Sequence, residues 1–179
     1  MNEEVRVNQS KTFPWGALAI YIVVVLGIAV YGAFSTDPMI PEGIDTESLA
    51  AFGVIGAIVG AIFLVIATAI QYAFIKFPTQ WVSKEEHVYK YDIWSALFYS
   101  GAIGAVINFM IGQLGYGENL ILTSTVSVIT TVLFLLFYFS GEEKESHIKR
   151  AITIVQVVWL IIGIVLAIAF QTIGNNILL

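Results

Sequence analysis

The sequence contains no cysteine, only two histidines and little charge: 12% of its 179 residues, against roughly a quarter in an ordinary soluble domain. Without thiols there can be no disulfide, thiolate nucleophile, iron–sulfur cluster or sulfur-ligated zinc. So little charge is incompatible with a soluble globular domain. Nucleic acid is not an expected partner, because eight basic residues stand against thirteen acids, a net charge of -5, and no basic stripe interleaves with aromatics.

What fills the chain is hydrocarbon: 58% of residues are hydrophobic and the mean hydropathy is +0.87. Five apolar spans can be drawn, at residues 15–34, 49–74, 93–113, 120–139 and 151–171. Each is long enough to cross a hydrocarbon core of about 30 Å at about 1.5 Å per residue. Backbone amides in lipid must be satisfied within their own segment, and the runs lack the strict alternation of barrel strands. The expected fold is therefore all-α: an integral membrane protein with one transmembrane helical domain over residues 1–179, in contact with the lipid bilayer.

Basic residues set the expected orientation. Arg6 and Lys11 precede the first span; Lys76, Lys84 and Lys90 lie between spans two and three; Lys144, Lys149 and Arg150 lie between spans four and five. The intervening segments 35–48 and 114–119 and the tail after 171 hold none. Positively charged loops stay in the cytoplasm, so the amino terminus is expected inside, the carboxyl terminus outside, and the chain multi-pass in the cell or plasma membrane. The first span exceeds the roughly 7 to 15 residues of a cleaved signal core and follows Glu3 and Glu4, so it reads as a retained helix. Trp15, Tyr72, Trp81, Tyr89, Tyr91, Trp94 and Tyr138 fall near the inner boundary and Tyr31 and Tyr116 near the outer one, where amphipathic rings prefer to sit. Tyr21, Tyr99 and Trp159 lie deeper and read as packing between helices.

The connections carry local signals. Ser83-Lys84-Glu85-Glu86 and Ser140-Gly141-Glu142-Glu143 both read as capping boxes, which predicts that helices three and five begin there. The loop with Asp37, Glu42, Asp45 and Glu47 lacks calcium-loop spacing and reads as solvated. Gly115-Tyr116-Gly117-Glu118 resembles the GYGD string of potassium-channel selectivity filters, but span three climbs straight to it from a basic loop. Gln113 and Leu114 also stand where that family has Thr-Val, and the string reads as a tight glycine turn.

Two patterns lie inside the spans. Helices in lipid associate by close backbone approach, so small residues at four-residue spacing mark packing faces. Gly56 and Gly60 form one such row in span two, with Gly53, Ala57 and Ala61 beside it; Ser100 and Gly104, with Gly101 alongside, form another in span three. These are the expected helix-packing residues. Span four carries a hydroxyl stripe, Thr123, Ser127, Thr130 and Thr131, recurring with helical period. With Asn108 of span three it could supply interhelical hydrogen bonds or line a polar path, and Gln71 and Gln156 add amides near the inner ends of spans two and five.

No Asp, Glu, Lys, Arg or His lies within the five spans. Proton relays, ion-coupled carriers and intramembrane metal or haem sites use such groups, and the serines and threonines have no membrane-embedded base to activate them. No catalytic residue, cofactor or metal site is expected, and His87 and His147, both in charged loops, read as solvated. The expected function is non-enzymatic: an accessory, assembly or regulatory subunit of a larger membrane complex, partnered by other membrane subunits or by further copies of itself. The alternative is a small homo-oligomeric channel or transporter with a hydroxyl-lined path on helix four.

Overall fold

The computed structural model describes residues 12–35, 46–117 and 119–177. The acidic loop from Asp37 to Asp45, and Arg6 and Lys11, lie outside the described residues. Five helices follow in order: α1 (Trp15–Ser35), α2 (Thr46–Ser83), α3 (Lys90–Gln113), α4 (Leu120–Phe139) and α5 (Ser146–Ile177). All five are long and apolar enough to cross a membrane. They form a ring in the order α1, α2, α5, α4, α3, with α2 and α3 also touching across it.

The chain departs from the sequence reading at the basic connections. α2 does not stop near Phe74 but continues to Ser83, so its 38 residues make about 57 Å of helix at about 1.5 Å per residue. Neither proposed capping box opens a helix. Ser83 ends α2, its hydroxyl donating to the Thr79 carbonyl (2.7 Å), and Ser140 ends α4, its hydroxyl donating to Phe137 O (2.9 Å). A serine hydroxyl can satisfy the orphan carbonyls of a helix end as readily as the orphan amides of a helix start. α3 begins only at Lys90, after Tyr89 in a left-handed conformation (φ 50°), and α5 begins at Ser146.

α2 passes through Pro78, which has no N–H for the carbonyl of Phe74 one turn earlier. That carbonyl finds a donor on another helix: Trp159 Nε1 of α5 donates to it at 2.9 Å, with the indole set edge-on to the Phe74 ring. A proline in a membrane helix is tolerable when a neighbour satisfies the freed group in this way.

Burial is densest toward the end that carries the basic loops. One cluster joins Ile75, Ile93, Leu97, Phe134, Tyr138 and Ile152 of four helices; a second joins Ala17, Tyr21 and Val25 of α1 to Ala61, Phe98 and Ala102. No described residue of α3 beyond Gly104, or of α5 beyond Gln156, is fully buried. At the opposite end, Gly115 (φ 79°) turns the chain out of α3, and the Asn119 side chain caps α4 by accepting from the amides of Ile121 and Leu122.

Candidate functional site

Between α2, α3, α4 and α5 lies a cleft of about 390 Å³, a volume within the range of small-molecule sites. Small residues create it. Ser100, Gly101, Gly104 and Ala105 line it from α3, Gly104 lying close to α4, and Ser127, Thr130 and Thr131 line it from α4. The approach is close enough that a Cβ on Gly104 would lie 2.8 Å from Thr130 Oγ1. Gly101 is tight against α1 instead, since its Cβ would stand 3.1 Å from the Tyr21 ring. Asn108 lines the cleft farther from the basic loops, and Gln71 of α2 and Gln156 of α5 line it nearer to them. Leu97, Phe134, Trp159 and Leu160 supply apolar wall.

The residues singled out in the sequence therefore separate into three groups. Ser100, Gly101, Gly104, Asn108, Ser127, Thr130 and Thr131 all line this one cleft. Thr123 does not; its hydroxyl reaches back to the Asn119 carbonyl at 3.1 Å. Gly56 and Gly60 are exposed and face open space, with nothing within 4 Å of where a Cβ would stand. It is the neighbouring row, Ala57 and Ala61, that is buried, Ala61 packing in the α1 and α3 cluster.

Hydrogen bonding gives the cleft its chemical character. Each hydroxyl donates its proton to the carbonyl four residues earlier on its own helix: Ser100 to Ala96 (2.6 Å), Ser127 to Thr123 (3.0 Å), Thr130 to Val126 (2.8 Å) and Thr131 to Ser127 (2.9 Å). A hydroxyl committed this way still offers its oxygen lone pairs. No hydrogen bond joins Asn108 to the stripe among the described residues. Gln156 is 7% exposed, and its Nε2 has no hydrogen-bond partner among the described residues. An unpaired buried donor costs about 1–3 kcal/mol, so this amide is poised to take an acceptor.

The core around Phe134 and Tyr138 packs on the side of the cleft toward the basic loops, and near it sits a charge pair the sequence did not reveal. Lys144 Nζ lies 2.8 Å from Asp92 Oδ2, with the lysine side chain fully buried. The ammonium also stacks over the rings of Tyr138 (4.6 Å) and Tyr89 (5.1 Å), and donates to the Glu142 carbonyl at 3.0 Å. Gly141 makes room for this arrangement, since a Cβ there would come 2.8 Å from Asp92 Oδ2. The pair ties the loop after α4 to the first turn of α3. At the surface, His147 in the first turn of α5 lies with Nε2 3.3 Å from Glu85 Oε1 of the loop between α2 and α3, and with Nδ1 3.3 Å from Glu145 Oε2 of the loop between α4 and α5.

Compared with protein families, curated proteins and solved structures, the chain matches none.

Proposed function

We propose that the protein is a non-enzymatic membrane subunit that works by packing against another transmembrane helix, as an accessory, assembly or regulatory component. The observation that carries this reading is the split between the two small rows of α2. Ala57 and Ala61 pack within the chain, while Gly56 and Gly60 present bare backbone outward. Glycine inside a helix costs about 0.5–1 kcal/mol relative to alanine, and lipid gives nothing back for it; a partner helix approaching at GxxxG spacing does. In the same reading the basic end faces the cytoplasm, which puts the amino terminus inside and the carboxyl terminus outside.

The absence of cysteine makes the test clean, because one introduced thiol is unique. Gly60→Cys carrying a photoactivatable label should cross-link in native membranes to one discrete partner. Ile62→Cys, also exposed on α2 but about 160° around the helix from Gly60, should give only lipid adducts. Equal, diffuse labelling from both positions would defeat the proposal.

A second reading, a channel or transporter, is favoured by one observation: Asn108, Ser127, Thr130 and Thr131 share a single cleft with Gln71 and Gln156. From Leu97 to Asn108 the cleft follows about 16 Å of α3 at about 1.5 Å per residue, half of a core of about 30 Å. Solute flux into liposomes that falls on Ser127→Ala with Thr131→Val would support this reading. Flux unchanged by the pair, or no flux at all, would sink it.

A further inference from the structure

We infer that the cleft among α2, α3, α4 and α5 binds a small neutral group carrying both a hydrogen-bond donor and an acceptor, a hydroxyl or a carboxamide. Occupancy does not require that anything cross the membrane, so this stands or falls apart from the transport reading.

Three features select that chemistry. The hydroxyl oxygens of Ser100, Ser127, Thr130 and Thr131 have committed their protons to their own helices and line the cleft as acceptors, which asks for a donor on the ligand. The buried Gln156 Nε2 is an unpartnered donor in the same wall, which asks for an acceptor. None of the described residues lining the cleft is ionisable: Gln71 and Asn108 add two more neutral amides, and the apolar wall is Leu97, Val126, Phe134, Leu160 and Ile164 with the Trp159 ring. A net charge there would be desolvated with nothing to balance it. Purely apolar occupants fail too, because they would leave Gln156 unpaired.

A ligand of this kind has two sources: a water-soluble polyol or amide, or the hydroxyl headgroup of a neutral lipid. Trp159 reports on both from the cleft wall. A chain carrying Trp15→Phe, Trp81→Phe and Trp94→Phe keeps Trp159 as its only indole and can be reconstituted in phosphatidylcholine vesicles. Its fluorescence would be titrated with glycerol, with acetamide, with monooleoylglycerol in the bilayer, and with potassium chloride.

A saturable change is expected with at least one neutral probe and none with potassium chloride. Response to glycerol or acetamide assigns an aqueous ligand; response to monooleoylglycerol alone assigns a lipid one. Gln156→Leu should weaken the apparent affinity about tenfold, the worth of one or two net hydrogen bonds, and Thr131→Val should do so without altering the cleft's shape. The valine variant decides the matter if the leucine variant does not fold. No saturable response to any neutral probe, a matching response to potassium chloride, or unchanged affinity in the variants would overturn the inference.

Discussion

Asp92 and Lys144 show what one buried charge pair does in a small bundle. Removing one partner of such a pair leaves the other unbalanced in a low-dielectric setting, a loss of about 3–5 kcal/mol, whereas removing both is far milder. Asp92→Asn and Lys144→Met should therefore each lower the midpoint of thermal unfolding in detergent sharply, and the double variant should recover most of the loss. If the two losses simply add, the charges do not act as a pair. Gly141→Ala should strain the same spot, because its methyl would meet the Asp92 carboxylate, with a loss of about 1–3 kcal/mol typical of overpacking. None of this was legible in the sequence. Lys144 reads there as one more basic loop residue, and no periodicity relates a loop position to a side chain on a helix so distant in the chain.

Among the elements, what has a period could be read and what depends on a partner could not. The hydroxyl stripe of α4 and the small row of α3 repeat with helical spacing, and the structure places most of both on one cleft. Helix ends were misread because Ser83 and Ser140 serve carbonyls behind them instead of amides ahead. Pro78 lies beyond the expected end of span two, and the helix passes through it with Trp159 supplying the donor that Phe74 O loses. That compensation is testable by a double-mutant cycle. Trp159→Phe should cost about 1–3 kcal/mol when Phe74 O is left without its donor, and clearly less in a Pro78→Ala background, where the helix regains its own N–H. Equal losses in both backgrounds would show that the indole acts only through packing.

The two small rows give opposite expectations for one substitution. Gly104→Ala should destabilise the fold, because the new methyl meets Thr130 Oγ1, and Thr130→Ala should restore it. Gly60→Ala meets open space and should leave the isolated chain as stable or raise it by about 0.5–1 kcal/mol, through helix propensity alone. Thermal scans of the two variants side by side distinguish a packed row from an open one.

For the whole molecule, the composition already implied five membrane-spanning helices, since runs of about 20 apolar residues have few other uses. The order of helices around the ring, the cleft within it and the open face outside α2 come from packing and were not legible. Together they make a bundle tied at its basic end by a charge pair and a buried core. Halfway along, it holds a neutral polar cleft, and one flank exposes a glycine row. The proposed function assigns this flank to a partner. Its most direct test is the mass of the particle purified from native membranes in a mild detergent. A stoichiometric complex with a distinct membrane protein is expected, well above the 19.6 kDa of one chain, and Gly56→Leu with Gly60→Leu should reduce it to the lone chain at unchanged helicity. A wild-type chain that purifies alone, or a complex indifferent to both leucines, would contradict the claim.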